Sequence, residues 1–161
     1  MKILFIGDIV GKPGRRAVRE LLPGIVEERR IDFVIANCEN AAAGFGVTAE
    51  VVEELFGAHI DVLTSGNHIW DKKEALPYLG REARLLRPAN YPAVNPGRFS
   101  YVFQHGDGVK AAVLNLQGRV FMEPLDCPFR RADEEVPVLA AQTPIIIVDI
   151  HAEATSEKQA L

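Results

Sequence analysis

The chain has 161 residues, of which 48% are hydrophobic and 25% are charged, and its formal net charge is −4. This length and balance predict one globular domain spanning residues 1–161 with a sizeable core, and the negative charge argues against a broad basic surface for duplex nucleic acid. No apolar run approaches the roughly 20 residues of a membrane span, the N-terminal apolar stretch is too short for a signal-peptide core, and two distant cysteines give no disulfide framework, so we expect a cytoplasmic enzyme.

The first half of the chain alternates short apolar runs with segments of helical periodicity. The apolar runs are continuous, as expected for parallel strands buried on both faces, and they cover residues 3–6, 33–36 and 62–64. Helices are predicted within residues 13–30 and over about 48–58, the second with Thr48 as its N-cap. A shorter helix is predicted after Asp71, which would cap it. This alternation predicts a layered α/β fold.

The second half begins with turns rich in proline and glycine. Strands predicted at 99–103 and 111–116 flank the Gly106-Asp107-Gly108 turn, so they should form an antiparallel hairpin and make the fold's sheets mixed. Residues 128–142 are predicted to be a helix bent or interrupted at Pro137, followed by a last buried strand at 145–148. Ser156 and Gln159 have the spacing of a capping box, which predicts the start of another helix.

Side chains of the kinds that bind metals follow four of the apolar runs. They are Asp8, the pair Glu39 and Asn40, the pair Asn67 and His68, and the pair Asp149 and His151. Because ligands of open α/β sheets bind at the carboxyl ends of strands, we expect these groups to converge at one sheet edge. A carboxylate can bridge two metals, carboxamide oxygens can ligate without adding charge, and the histidine after Asn67 can stay free to donate a proton. His151 is the better ligand of the last pair, with Asp149 placed to orient it.

Several of these residues also have a plain structural explanation. An Asp such as Asp8 is common in polar turns and near helix starts, and Asn67 with His68 could simply form a turn. The glycine-rich loop over residues 7–14 fits neither a Walker A motif nor a dinucleotide-binding fingerprint. Strand alternation points Cys38 away from the carboxylate that follows it, so a packed thiol is the better interpretation than a ligand.

A set of carboxylate, carboxamide and imidazole ligands is typical of a two-metal phosphoryl-transfer site. Two divalent ions about 3.5 to 4 Å apart would clamp a phosphoryl group, activate a water and offset charge on the leaving oxygen. Oxygen-rich ligands with few imidazoles favour Fe or Mn over a tight structural Zn site, with Zn and Mg left open.

These segments together resemble those of the calcineurin-like metallophosphoesterases, and more closely their bacterial YmdB-type branch. The resemblance is carried by MKILFIGDIVG at 1–11, ENAA at 39–42, GNH at 66–68 with WDKKE at 70–74, RPAN at 87–90, NLQGR at 115–119 and HAEATSEK at 151–158. It implies an α/β sandwich of mixed sheets flanked by helices. It further implies that Asp8, Glu39, Asn40, Asn67 and His151 are metal ligands, with Glu39 bridging the two metals and His68 as the proton donor.

The activity implied by this resemblance is hydrolysis of phosphodiesters, with 2′,3′-cyclic nucleotides as the expected substrates of this branch. Val10 stands where the wider superfamily has a histidine, as it does in this branch, and Cys38 stands where glycine is usual. The family pattern continues beyond Leu161 with a Gly-Thr-His-Thr-His segment that completes the metal sites, so the chain should correspond to the N-terminal two thirds of a family domain.

Two functions follow as expectations. The first is a metal-dependent cyclic nucleotide phosphodiesterase that acts on a small nucleotide and binds neither a membrane nor duplex nucleic acid. Its oligomeric state is left open, with a homo-oligomer as one possibility. The alternative is a non-catalytic metal- or phosphate-binding module, or an inactive fragment that lacks the last histidine ligands.

Overall fold

A computed structural model describes all residues, 1–161. The elements, in chain order, are β1 (Ile3–Asp8), α1 (Gly11–Arg29), β2 (Phe33–Asn37), α2 (Ala49–Gly57), β3 (Val62–Thr64), α3 (Leu76–Leu79), β4 (Ser100–Gln104), β5 (Lys110–Gln117), α4 (Pro128–Ala140), β6 (Ile146–His151) and α5 (Thr155–Ala160). Two short 3-10 turns, Asn67–Trp70 and Lys73–Ala75, lie between β3 and α3. No helix is both long enough and apolar enough to cross a membrane.

The strands form two three-stranded sheets rather than one. The first has the order β1-β2-β3 and is parallel throughout. The second has the order β4-β5-β6, in which β4 and β5 form the predicted antiparallel hairpin and β5 pairs in parallel with β6. The expectation that four ligand-bearing strand ends meet at one sheet edge is therefore wrong, because three belong to the first sheet and the fourth to the second.

Alternation along β2 explains how the two sheets and the helices are layered. Phe33 and Ile35 pack against residues of the second sheet, whereas Val34 and Ala36 pack against the helical side that includes α1 and α2. The rings of Phe33 and Phe103 stack with centroids 4.2 Å apart and join the two sheets directly. β2 is buried on both faces because it lies between the helices and the second sheet, as its continuous apolar run predicts.

The prediction of complete burial is wrong for two of the four runs. β1 and β6 each lie at the edge of their sheet and have only partly buried or exposed residues. An edge strand has one neighbouring strand, so its side chains are less enclosed unless another segment covers it, as the segment at Leu85 does for β3. An apolar run alone does not distinguish an edge strand from a central one.

The long helices follow the sequence patterns closely. The Thr48 side chain accepts a hydrogen bond from the Val51 backbone N–H at 3.2 Å, which confirms the predicted cap of α2. α4 packs Ala132 and Leu139 against the outer face of the second sheet. It continues through Pro137 to Ala140, so the predicted interruption at that proline is wrong.

Two predicted caps are also wrong. Asp71 does not cap a helix, because its carboxylate contacts the His68 ring instead. α5 begins at Thr155 after Ala154 and makes no side-chain cap, so Ser156 and Gln159 do not form a capping box.

Glu157, within the first turn of α5, has a long-range role. Its buried carboxylate accepts hydrogen bonds from the backbone N–H groups of Arg119 and Val120, each at 3.0 Å. These bonds tie α5 to the loop after β5.

Candidate metal centre

The facing surfaces of the two sheets change from apolar to polar toward the carboxyl ends of their strands. In β2, the face occupied by Phe33 and Ile35 continues to Asn37, and Glu39 follows two residues later. In the second sheet, the same inner face carries the polar residues Asn115, Gln117, Asp149 and His151. The apolar contact between the sheets thus ends in a polar zone, which we call the inter-sheet site.

Glu39 is the central residue of this site. Its side chain is 0% exposed, and Oε1 lies 2.5 Å from His151 Nδ1 on the other sheet. Oε2 accepts a hydrogen bond from the His68 backbone N–H at 3.3 Å. Oε1 nevertheless has no hydrogen-bond donor of acceptable geometry, and the only salt-bridge partner of the carboxylate is His151. A buried carboxylate with so little compensation is costly unless a cation neutralises it.

The side chain of His151 is held in an acidic environment. Burial alone would lower its pKa, but the close contact with the Glu39 carboxylate, together with the charge of Asp149, outweighs burial and raises the pKa. Asp149 is largely buried, and this burial raises its pKa although the Thr64 and Asn37 side chains oppose the effect. Asn37 donates to Asp149 Oδ2 at 3.4 Å. Asp149 therefore acts on the His151 ring through charge rather than through a hydrogen bond.

Asp8 and Asn40 form a second group on the exposed side of the site. Asn40 Nδ2 donates to Asp8 Oδ2 at 2.7 Å, so the Asn40 side-chain oxygen, Oδ1, is not used in this contact. In the first sheet, Asp8 of β1 lies opposite Asn37 of the neighbouring strand β2. Asn37 is two residues before Glu39 in the chain. The two pairs of predicted ligands, Asp8 with Asn40 and Glu39 with His151, therefore lie at the same end of the first sheet.

Asn67 lies at the start of the 3-10 turn after β3. Its partly buried side chain lines a cavity of about 270 Å³ together with Glu153 and the loop residues Phe121, Met122 and Glu123. Asn67 is thus placed at the open side of the site rather than in the buried interior.

The His68 ring faces a carboxylate that the sequence patterns assigned to another role. Its Nδ1 lies 2.6 Å from Asp71 Oδ2, and both side chains are more than a third exposed. This contact leaves Nε2 as the nitrogen that faces away from Asp71. The His68 ring is therefore oriented by Asp71, while its backbone N–H donates to Glu39.

Gly66 is required by the closeness of these groups. A Cβ atom at this position would overlap both the Glu39 carboxylate and the His151 ring. Only glycine lets the chain pass so close to the contact between the two sheets, and the GNH spacing in the sequence did not show that steric reason.

The donor set suits a metal only if amide oxygens are counted. No group of three or more His, Cys, Asp or Glu side chains is arranged to hold a metal ion. The reason is that Asn40 and Asn67 supply two of the five predicted ligands, and only Glu39 and His151 among the rest are in direct contact. The buried Glu39 carboxylate, whose one cationic partner is the His151 ring, fits a bound cation, and the neutral carboxamides fit an oxygen-preferring one.

Comparison with known proteins places this geometry in a family. The model of the family described as YmdB-like protein matches residues 4–161. The chain belongs to the YmdB-like family. A 2′,3′-cyclic-nucleotide 2′-phosphodiesterase of Bacillus subtilis (strain 168) is 47% identical over 161 residues, which are 100% of this chain and 61% of that protein.

Two solved structures share the fold of this YmdB-like chain. A hypothetical protein from Thermus thermophilus is 42% identical with a TM-score of 0.89, and the match covers 99% of this chain and 61% of that one. A phosphatase from Mycoplasma pneumoniae is 33% identical with a TM-score of 0.89, and the match covers 99% of this chain and 58% of that one. The chain thus spans about three fifths of the length of these relatives.

Proposed function

We propose that this YmdB-like chain carries the catalytic centre of a metal-dependent phosphodiesterase that hydrolyses 2′,3′-cyclic nucleotides. The observation that carries the proposal is the Glu39 carboxylate, which is fully buried, contacts His151 of the second sheet and the His68 backbone N–H, and has no cationic partner other than the His151 ring. The substrate class follows from similarity to the Bacillus subtilis enzyme, which is named a 2′,3′-cyclic-nucleotide 2′-phosphodiesterase. The finer fold assignment, a calcineurin-like sandwich of which these residues are the N-terminal part, is proposed with it.

Five side chains would hold two divalent ions. Asp8 and Asn40 would serve one ion, Asn67 and His151 the other, and Glu39 would serve both, because it lies between the strand end that bears Asn40 and the turn that bears Asn67. Fe or Mn suits this mixture of oxygen and imidazole donors. When bound, the ions would neutralise the phosphodiester charge and make a water nucleophilic.

His68 is placed to protonate the leaving group. Hydrolysis of the cyclic diester forms a bond from the water oxygen to phosphorus and breaks the bond from phosphorus to one ribose oxygen. That ribose oxygen needs a proton, and the His68 Nε2 atom can donate it while Asp71 holds Nδ1. The product is a nucleoside monophosphate with one free ribose hydroxyl.

A metal-dependence assay with single substitutions tests the proposal. Purified protein is incubated with adenosine 2′,3′-cyclic phosphate and Mn²⁺, and product is followed by chromatography. We expect Glu39→Ala, Asn67→Ala and His68→Ala each to lower the rate by about 10²-fold or more, on the scale of losing a general acid or a charge-stabilising group. Glu50→Ala, at an exposed position of α2, is the matched control and should keep the wild-type rate.

A second function is favoured by one observation, the absence of any group of three acidic, His or Cys side chains arranged as a metal site. On that basis the chain would be a metal- or phosphate-binding module without hydrolytic activity. Mn²⁺ binding that depends on Glu39, without release of nucleoside monophosphate at any metal concentration, would support the binding module and contradict the phosphodiesterase.

A further inference from the structure

Phe45 is an exposed aromatic residue beside the proposed proton donor. Its side chain is 54% exposed, although it is one of the larger apolar groups in the chain. Its ring centroid lies 6.4 Å from that of His68, with the two rings inclined at 46°. In this position the apolar ring is removed from water only when a ligand or partner covers it. Its location beside the site therefore suggests a role in binding.

The loop that carries Phe45 is built to hold it outward. Ala43, Gly44 and Gly46 all have positive φ angles, of 63°, 102° and 73°. The backbone N–H of Ala42 donates to the Gly46 carbonyl at 2.9 Å and closes the loop. A non-glycine residue in the left-handed region costs free energy, so this conformation is imposed by its surroundings.

Neighbouring side chains fix the loop at both ends. Arg15 donates from its guanidinium to the Ala41 carbonyl at 2.5 Å, and its Nε binds Glu54 at 2.8 Å. At the other end, a Cβ on Gly46 would lie 2.9 Å from the Lys72 side chain, so the loop and Lys72 are closely packed. These contacts hold the backbone on both sides of Phe45 in place.

One face of the Phe45 ring is already occupied. Lys72 Nζ lies over the ring, 5.3 Å from its centroid. A cation over one face makes a favourable contact with the ring, and the side chain is still 54% exposed with Lys72 in place. The exposed side of the ring is the part available to a flat ligand group.

We propose that Phe45 is the platform on which the nucleobase of the cyclic nucleotide stacks. This inference rests on the proposed function, because it uses His68 as the donor to a ribose oxygen. The base is attached to the ribose carbon next to the one that bears the 2′ oxygen. A ring beside the proton donor therefore lies where the base would be once the 2′ oxygen is at His68. Stacking on an aromatic ring tolerates any base, so Phe45 gives affinity for nucleotides over base-free ribose phosphates.

Another exposed aromatic residue competes for this role. Phe121 is 90% exposed, has a φ angle of 64° and lines the cavity beside Asn67. Phe45 is preferred because its ring contacts His68 and Lys72, whereas no ring or cation contact fixes Phe121.

The kinetic test compares adenosine 2′,3′-cyclic phosphate with 1-O-methylribose 2′,3′-cyclic phosphate, which has no base. Phe45→Ala should raise KM for the adenosine substrate by roughly 5- to 150-fold, leave kcat within about 2-fold, and leave the base-free substrate unaffected. Phe45→Trp should restore the adenosine KM. Leu21→Ala, at a position 61% exposed on α1, is the matched control for removing an exposed apolar side chain. Equal effects of Phe45→Ala on both substrates, or loss of base preference in Phe121→Ala instead, would overturn the proposal.

A binding test keeps the inference separate from the proposed function. Calorimetry with adenosine 3′-monophosphate and with ribose 3-phosphate, in the presence of Mn²⁺, measures base recognition without turnover. Wild-type protein should bind the nucleotide more tightly, and Phe45→Ala should abolish that difference. If wild type hydrolyses neither cyclic substrate but shows this difference, and Phe45→Ala loses it, the proposed function fails and the stacking role stands. If the two ligands bind equally to wild type, or the difference survives in Phe45→Ala, the stacking role is wrong.

Discussion

His68 Nδ1 lies 2.6 Å from Asp71 Oδ2, three residues further along the same turn. This contact places Nδ1 against the carboxylate and leaves Nε2 as the nitrogen that faces away from it. Asp71 is therefore a positioning residue for His68 rather than the helix cap that its place in the sequence indicates. The same turn brings the His68 backbone N–H to Glu39, so the proposed proton donor and the buried carboxylate are positioned together.

Replacing Asp71 should weaken proton donation selectively. We predict that Asp71→Asn lowers kcat for adenosine 2′,3′-cyclic phosphate by about 10- to 100-fold, because the His68 ring loses its orientation. Hydrolysis of bis(p-nitrophenyl) phosphate should fall by less than about 3-fold, since p-nitrophenolate leaves without a proton. Steady-state kinetics on both substrates makes the measurement, with Asp133→Asn on the exposed side of α4 as the control. Equal losses on both substrates would mean that Asp71 only stabilises the fold.

Adding one methyl group at Gly66 should disrupt the contact between the sheets. The new Cβ would overlap the Glu39 carboxylate and the His151 ring, so these groups must separate. We predict that Gly66→Ala removes most of the rise in melting temperature that Mn²⁺ gives to the wild-type protein.

Gly24→Ala is the matched control for this experiment. Gly24 lies within α1, and a Cβ there meets no atom within 4 Å. The substitution should leave the metal-induced shift unchanged and stabilise the protein by about 0.4 to 1 kcal/mol. A normal metal-induced shift in melting temperature for Gly66→Ala would show that metal binding does not depend on the close contact between Glu39 and His151.

The stack of Phe33 on Phe103 should carry much of the stability that joins the two sheets. Phe33 is 0% exposed, and its ring lies parallel to that of Phe103 within 9°. Phe33→Ala should cost about 3 to 5 kcal/mol in urea denaturation, because it leaves a cavity between the sheets. Phe121→Ala, at a side chain 90% exposed, should change stability by no more than about 0.5 kcal/mol. A cost below about 1 kcal/mol for Phe33→Ala would contradict tight packing between the sheets.

The two cysteines should differ sharply in reactivity and in pH dependence. The backbone N–H groups of Arg130 and Phe129 at the start of α4, with the charges of Arg119 and Arg130, hold the pKa of Cys127 below its ordinary value of 9.0. Burial, followed by the charge of Glu39, raises the pKa of Cys38. The thiolate is the form that reacts, so a lowered pKa increases reactivity at neutral pH and a raised pKa decreases it.

Alkylation by iodoacetamide, followed by mass spectrometry, measures this difference. Cys127 should be labelled in the native protein with a pH midpoint below 9.0, and Cys38 should be labelled only in denaturant. Cys127→Ser should abolish native labelling. Labelling of Cys38 in the native protein at neutral pH would contradict its burial in the core beside the helices.

The sequence predicts the parts of this fold that depend on local periodicity. The run at Phe33 predicts a strand buried on both faces, Thr48 caps α2, and alternation correctly turns Cys38 toward the helices. These features depend on neighbours within a few residues along the chain.

The features that sequence patterns missed depend on contacts between distant segments. Packing between strands far apart in sequence determines three of them: the place of β6 in a second sheet, the exposure of β1, and the steric need for glycine at Gly66. Asp71 was misassigned for a related reason, because an acidic residue before a helical pattern is the usual sign of a cap, and only the position of the His68 ring distinguishes the two roles.

The proposed role of Glu39 as the shared ligand is tested most directly by titrating the protein with Mn²⁺ in a calorimeter. We expect saturable binding of two ions per wild-type chain, and at least a roughly 10-fold weaker affinity in Glu39→Gln, with Glu50→Gln unchanged, because charge-assisted contacts to a buried carboxylate are the strongest the site can offer. Circular dichroism on each variant checks that the fold is intact. Wild-type protein that takes up no Mn²⁺, or a folded Glu39→Gln variant that binds Mn²⁺ as tightly as wild type, would contradict a metal centre built on Glu39.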